Sequence, residues 1–493
     1  MGLLVDRAGF VRRVLVGDHT SILIPDLSAW RRGGGGLRGL RCLHTHLGPG
    51  RGLDTEDLTD LALLRLDAMA AVEVGETGHA GAVHFAALLP PNPDGRQWDV
   101  QTYPHPAAVD LPFDAFVREL EGEIRRIQGA RDVEGQEERA ILVHAGGGPR
   151  HEAERSLAEL AELARSANVR VVKTVWQRVT RYHPAHLIGR GKLREVLMEG
   201  LYLGATLVVF DQDLTPVQAN NIARMMDLKV IDRTQLILDI FARRARSREG
   251  KIQVELAQLR YLLPRLVGRG TAMSRLMGGI GGRGPGETQL EVDRRRVKQR
   301  IAGLERELRA LRKGRRERRK HRARRGLPVV SIIGYTNAGK STLLNRLTGS
   351  DVLAEDRLFA TLDPTSRRLS SPEGTTVLLA DTVGFIRHMP RDLRVAFRAT
   401  LEELADAALF LHVVDAASPY RAEEIAAVER ILDEMGLQDV PRLLVCNKVD
   451  LLDPGRINGP CRGAVLVSAL EGRGLDELRT RLFAALRAAR PAA

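Results

Sequence analysis

Apolar residues change their period along this chain, and the changes divide it. Short continuous runs at 141–144, 169–172, 207–210 and 229–231 have the length and flanks of buried strands. Helical patterns at 155–166 and 215–226 alternate with them, which predicts a parallel or mixed sheet covered by helices. From 253 the period turns helical. One amphipathic helix covers 253–263 and stops at Pro264; a second sets Leu290, Val297, Ile301, Leu304, Leu308 and Leu311 on one face. Two such helices predict an antiparallel hairpin whose tip is the glycine-rich stretch 277–287. Strand-like runs return at 329–333, 376–380, 443–446 and 464–467. Before 139 the pattern is weaker: strand-like pieces at 11–16 and 21–25, a basic glycine stretch at 31–41 and an acidic amphipathic helix at 57–69. The expected class is α/β, with an N-terminal extension (1–138), an α/β subdomain (139–247), a helical hairpin (248–325) and a second α/β domain (326–493).

Chemistry enters at the strand ends of that last domain. Gly334, Tyr335, Thr336, Asn337, Ala338, Gly339, Lys340 and Ser341 form a complete GxxxxGK[ST] loop between a strand and a helix. Its backbone N–H groups can surround phosphate oxygens, Lys340 brings a cation to the outer phosphates, and the Ser341 hydroxyl is a ligand for Mg²⁺. The run 376–380 ends in Asp381, Thr382, Val383 and Gly384, a DxxG in which Asp381 holds Mg²⁺ through water and the Gly384 amide senses the γ-phosphate. The run 443–446 delivers Asn447, Lys448, Val449 and Asp450. A carboxylate there accepts from N1 and N2 of guanine, a donor pair that adenine lacks, so the site reads as GTP over ATP. The last run ends in Ser468, Ala469 and Leu470, whose backbone would meet guanine O6. Four motifs in this order make the domain a P-loop guanine-nucleotide-binding domain.

Between the phosphate loop and DxxG lies an aperiodic stretch suited to a loop that orders on a γ-phosphate: Phe359, Ala360, Thr361, Leu362 and Asp363, then Pro364 and Thr365. Thr361 is the expected second Mg²⁺ ligand, with Thr365 as the alternative. Lys340, Thr361 and Gly384 are the expected catalytic groups. Phe385 comes after DxxG where water-positioning GTPases often carry Gln, and Phe cannot orient water, so unaided hydrolysis is expected to be slow.

Composition adds a partner. The chain has 493 residues and a net charge of +13, and ten Lys or Arg fall within 312–325. That density exceeds what a solvated helix face requires and points to RNA phosphates. The tip 277–287 follows no strand and lacks a Gly-Lys-Ser ending, so it is not a second phosphate loop but a segment for reach. Gly189 to Lys192 reads as a turn opening a helix at 193–198, with a minor RNA-contact option. Three scattered cysteines make no disulfide framework and suit a reducing compartment; no signal peptide or membrane-length apolar run is present. Cys42, His44 and His46 alternate on one side of a possible strand. Structural zinc sites usually draw a fourth ligand from a second cluster, and with no partner Cys for it, packing or a hydrogen-bonded His is preferred over a metal.

The runs 230–245, 249–259 and 278–287, the loop from Gly334 to Ser341, the stretch from Phe359 to Thr365 and the motif from Asp381 to Ile386 together resemble the HflX family of ribosome-associated GTPases. The match covers residue 139 onward, and Phe385 fits it, because this family carries an apolar residue in place of the catalytic Gln. The resemblance implies docking on the large ribosomal subunit and its RNA, with the loop from Gly278 to Glu287 pointed at the peptidyl-transferase centre. It also implies ribosome splitting or rescue under stress, ribosome-stimulated GTP hydrolysis with Mg²⁺, a cytoplasmic location and a monomer free in solution. Two departures stand out: some members continue into a further C-terminal domain, and about 130 residues here precede the family core, as in long-form relatives. A large-subunit assembly GTPase shares every feature with a splitting factor; Asp450 argues against an RNA-remodelling ATPase.

Overall fold

The computed structural model describes residues 1–18, 22, 24, 25, 27, 30, 36–90, 96–133, 138–225, 228–266, 289–324, 327–350, 358, 359, 365–386, 402–452 and 461–489. Two compact units are distinguished, one of Met1–Ala164 with Asn168–Arg233, the other of Arg165–Ala167 with Thr234–Ala493.

The first unit opens with a sheet that the sequence showed only in fragments. Its elements are β1 (Gly2–Asp6), β2 (Val11–Leu15), β3 (Leu40–Leu47), helix α1 (Thr55–Leu63), β4 (Ala68–Val74), β5 (Ala80–Leu88), β6 (Trp98–Tyr103) and helix α2 (Phe113–Val133). The strand order is β2-β1-β3-β4-β5-β6. β3 and β4 are parallel, joined by α1 as a crossover, and the other neighbours are antiparallel. Strand alternation divides two cores: Leu4, Cys42, Leu61 and Met69 share one cluster, Ala70, Val83, Phe85, Val117 and Leu120 the other. The acidic helix ends earlier than its pattern suggested, and Met69 belongs to β4. Arg65 takes a left-handed φ of 50°, which turns the chain out of the helix. The buried Asp67 then fixes the exit by accepting from the Gly39 amide and from Arg7. Residues 22, 24 and 25 lie outside any strand, contrary to the expected piece at 21–25.

A second sheet comes next as predicted, now resolved as wholly parallel. β7 (Glu138–Gly146), α3 (Arg150–Ser166), β8 (Val169–Arg178), α4 (Arg190–Leu203), β9 (Leu207–Phe210), α5 (Pro216–Arg224) and β10 (Lys229–Asp232) give the order β10-β9-β7-β8. Ile141, Leu142, Val143 and the whole of β9 are fully buried, which explains their unbroken apolar runs. Asp211, just past β9, accepts from His144 and Ser156 at 2.6 Å each and from Arg233 at 2.8 Å. Burial alone would raise its carboxyl, but those hydrogen bonds and the Arg233 charge hold it below the ordinary value. Asp211→Ala is therefore expected to destabilise this unit by about 1–3 kcal/mol, since it takes the shared acceptor from His144, Ser156 and Arg233, while Arg233 keeps its ion pair with Glu159 at 3.0 Å. The stabilisation is complete above the ordinary Asp value of 3.8 and is lost as pH falls through the lower folded value. Chemical denaturation of wild type and variant at neutral and acid pH checks both statements: the gap between them should close in acid.

The second unit carries α6 (Arg233–Arg244) and the hairpin, α7 (Arg248–Leu262) and α8 (Gln289–Arg324). Ile252 and Leu256 pack on Leu304 and Leu308, while Arg248 pairs with Glu307 and Arg300 with Glu255, an antiparallel register. α8 runs unbroken through the basic stretch to Arg324. The hairpin tip lies outside the described residues. The third sheet comprises β11 (Val329–Gly334), β12 (Thr365–Ser370), β13 (Thr376–Asp381), β14 (Ala407–Asp415), β15 (Arg442–Asn447) and β16 (Val465–Leu466), with helices α9 (Lys340–Thr348), α10 (Arg421–Glu434) and α11 (Leu475–Ala489). Its order is β12-β13-β11-β14-β15-β16, parallel except for the edge strand β12. The expected strand at 464–467 shortens to two residues. The expectation of unbonded cysteines is corrected: Cys446, on β15, is disulfide-bonded to Cys461, and Cys42 is free and buried.

Candidate nucleotide site

Four parallel strands, β13, β11, β15 and β16, end at one edge of the third sheet, and the sequence motifs sit just past those ends. The phosphate loop leaves β11 at Gly334 and enters α9 at Lys340. Gly339 caps that helix at φ 87°, and a Cβ there would collide with the side-chain amide of Asn447, so glycine is required. Lys340 is buried and its ammonium donates to the Tyr335 carbonyl at 2.8 Å. Burial lowers its pKa to about 8, against the opposing charge of Asp381.

Two groups expected around the magnesium ion are neighbours: Ser341 Oγ donates to Asp381 Oδ2 at 2.6 Å. A hydroxyl and a carboxylate at the start of a helix form the hard oxygen set that Mg²⁺ takes, so the residues fit this ion. Thr382 is anchored by its hydroxyl to the Ile332 carbonyl at 2.6 Å. Gly384 faces Thr336 and Lys340 so closely that an added Cβ would stand 2.8 Å from Thr336 Cγ2 and 3.0 Å from Lys340 Nζ. Phe385 is fully buried, and its backbone is bonded to the phosphate loop on both sides: its N–H donates to Gly334 O at 3.1 Å and its carbonyl accepts from Thr336 N–H at 2.8 Å. The side chain that cannot orient water is thus also held away from solvent.

On the base side, Asn447 joins three motifs. Its Nδ2 donates to Ala338 O and its Oδ1 accepts from Ala469 N–H, both at 2.9 Å. Lys448, at φ 64°, pairs with Asp415 at 2.8 Å. Asp450 Oδ1 is buried without a hydrogen-bond partner, which is the orphaned acceptor that guanine N1–H and N2–H would satisfy. Val449 opens a short 3₁₀ turn beside it. Ser468 Oγ accepts from Glu471 N–H at 3.1 Å, and Arg346 of α9 donates to the carbonyls of Ala469 and Leu470.

The switch stretch is described in part. Phe359, at φ 57°, is buried with its ring edge-to-face against Phe241 of α6 at 4.6 Å, a contact with no counterpart in any local sequence pattern. Thr365 begins β12 opposite Asp381. Ala360, Thr361, Leu362 and Asp363 lie outside the described residues.

A parallel α/β sheet with a glycine-lined phosphate loop, a DxxG carboxylate beside its serine and an unmatched Asp at the base position defines a P-loop GTPase. Comparison with known proteins agrees in kind. Family models match residues 154–242 as "GTP-binding GTPase N-terminal", 244–322 as "GTP-binding GTPase Middle Region" and 329–448 as "50S ribosome-binding GTPase". The chain is 51% identical over 343 residues to GTPase HflX of Caldanaerobacter subterraneus subsp. tengcongensis, covering 69% of this chain and 79% of that one. It is 47% identical over 348 residues to GTPase HflX of Escherichia coli K12, covering 69% and 81%. A GTP-binding protein from Sulfolobus solfataricus, in complex with GDP, aligns with 72% of this chain and 100% of its own at 24% identity and a TM-score of 0.40. The chain belongs to the HflX GTPase family and hydrolyses GTP.

Proposed function

We propose that this protein docks on the large ribosomal subunit and couples GTP hydrolysis there to splitting or rescue of stressed ribosomes. The observation that carries the reading is α8: 36 residues of continuous helix join the hairpin seam to the basic stretch, so the cationic segment extends a packed element instead of trailing from it. Such a rod suits contacts with RNA phosphates. The family description "50S ribosome-binding GTPase" over 329–448 supports the same partner. We assign 1–138 to an extension, 139–247 to an α/β subdomain, 248–325 to the hairpin with its glycine tip, and 326–493 to the GTPase domain. No helix among the described residues is long and apolar enough to cross a membrane. The proposed ribosomal partner is the ground on which we assign the protein to the cytoplasm, as a monomer when free in solution.

In the proposed site, residues 334–341 would cradle the phosphates, Ser341 and Thr361 would hold Mg²⁺, and Asp381 would act on it through water; the ion would supply neutralisation of the phosphate charge. Lys340 compensates charge on the γ-phosphate, the Gly384 amide reports its presence, and residues 447–450 with 468–470 read guanine. Because Phe385 is buried and inert, fast turnover would rest on the ribosome holding the Thr361 and Gly384 loops round the γ-phosphate.

Sedimentation of intact ribosomes with the protein and GTP tests the reading, with single-turnover hydrolysis measured in parallel with and without large subunits. Subunits should separate, and large subunits should accelerate hydrolysis. Replacing Arg315, Arg316, Arg318 and Arg319 by Ala should weaken ribosome binding and flatten its salt dependence by roughly 0.7 to 0.9 in log–log slope per lost phosphate contact, with GTP affinity unchanged. Shortening 278–287 should impair splitting and spare nucleotide binding. Fast hydrolysis by the free protein, or binding confined to immature large subunits, would overturn the proposal.

A further inference from the structure

The N-terminal sheet holds a cluster that the GTPase reading leaves without a task. His44 and His46 are two apart on β3 and therefore share a face of the sheet. Asp57, in the first turn of α1, is brought over the same face by the crossover from β3. His44 Nε2 stands 3.0 Å from His46 Nε2 and 3.2 Å from Asp57 Oδ1, and His46 Nε2 stands 3.5 Å from Asp57 Oδ2. Ligand bonds of about 2.0–2.1 Å in a tetrahedral site place donor atoms about 3.3–3.4 Å apart. The two imidazole nitrogens thus stand near the spacing of a coordination site, one oxygen of the Asp57 carboxylate faces each of them, and one ligand atom from each residue lies within 4.8 Å of the others.

Surrounding contacts orient two of the three groups, His46 and Asp57, while His44 Nδ1 is buried without a hydrogen-bond partner. His46 Nδ1 lies 3.1 Å from the Arg51 carbonyl, which can only accept, so Nδ1 carries the proton and the Nε2 lone pair faces the cluster. Asp57 Oδ2 accepts from the Asp54 amide at 3.1 Å, part of the capping box that fixes the start of α1. Three acceptor-bearing groups so converge on one point, where a single proton on His44 would otherwise have to serve both His46 and Asp57. His44 is buried, and His46 and Asp57 border a cavity of about 1020 Å³ that Glu56, Asp60 and Arg194 also line. Cys42, the third candidate in the sequence, packs in the apolar cluster with Leu4 and Leu61 and takes no part.

We propose that His44 Nε2, His46 Nε2 and the Asp57 carboxylate form a site for a divalent first-row transition metal ion, Zn²⁺ above all, with the remaining coordination position open to the cavity. Two imidazoles and one carboxylate suit Zn²⁺ and its borderline neighbours, whereas Mg²⁺ prefers an all-oxygen set. Three protein ligands with an open position is the arrangement of sites that bind an exchangeable ligand, not of closed structural sites.

The test uses the full chain, stripped of metal by chelation and kept free of nucleotide. Titration with Co²⁺ should give one equivalent per chain with visible ligand-field bands of four-coordinate intensity, displaced by one equivalent of Zn²⁺. His46→Gln and Asp57→Asn should each weaken binding by more than about tenfold, since each deletes a ligand, with far-ultraviolet dichroism and GTP affinity unchanged. GTP affinity is the separate readout, because neither residue belongs to the proposed nucleotide site. Absence of a stoichiometric ion in the wild-type protein overturns the proposal and leaves a hydrogen-bonded His–His–Asp cluster. Bands that persist unaltered in both variants overturn it as well, by placing the ion elsewhere. If one variant misfolds, the other and the wild-type stoichiometry still decide.

Discussion

Asp450→Asn should lose GTP affinity by roughly 10²- to 10⁴-fold and gain affinity for xanthosine triphosphate. The size of the loss reflects two charge-assisted hydrogen bonds at about 1.5–3 kcal/mol each. Asp450 Oδ1 is buried and unmatched, so a guanine edge would satisfy it without breaking a contact within the protein. An amide at the same place offers N–H toward the guanine N1–H and N2–H, donor against donor. Xanthine carries a carbonyl at C2, which that amide can meet. Competition binding with GTP, ATP and xanthosine triphosphate is the measurement. An unchanged preference order would show that guanine is held by other groups.

Lys340→Ala should reduce single-turnover hydrolysis by about 10²- to 10³-fold, the usual loss when one preorganised electrostatic group is removed from a charge-developing transition state. Burial makes the effect large: the ammonium is shielded from water and held by Tyr335 O, so no solvent cation replaces it with the same geometry. GTP binding should weaken more than GDP binding, because the proposed role of the side chain is to bring its charge to the outer phosphates. Wild-type turnover in this variant would remove Lys340 from the reaction.

The GTPase domain was legible because its chemistry sits at strand ends, where short apolar runs and fixed spacings leave little freedom. Val329 to Gly334 reads as a buried strand, and the residues after it can only form a tight, glycine-dependent turn. The second sheet was legible for the same reason: strands buried on both faces advertise themselves as unbroken apolar runs. The N-terminal sheet was legible only in pieces: the strand-like run at 11–16 is β2 and the strand of Cys42, His44 and His46 is β3. By contrast, β6 is largely exposed and lacks a clear alternation, and β4 reads as the end of a helix because Ala68 to Ala71 suits either conformation. Asp57 could not be joined to His44 and His46 from the sequence, since the crossover that brings it over β3 exists only once the β3–β4 pairing is known. Similarly, the Cys446–Cys461 bond depends on the adjacency of β15 and β16. Phe359 against Phe241 is a contact between distant segments that no local pattern records.

The Asn447 side chain, bonded to Ala338 on one side and Ala469 on the other, limits how this pocket can be re-engineered. Nucleotide selectivity and phosphate grip are not separable modules here, because one amide is the shared fastening of both. A redesign that exchanges the whole base-recognition motif would slacken the anchor of Ala338 and open the space that forbids a Cβ at Gly339. Changes confined to Asp450 leave that fastening in place. New base preferences should therefore be grafted one position at a time, outward from a retained Asn447.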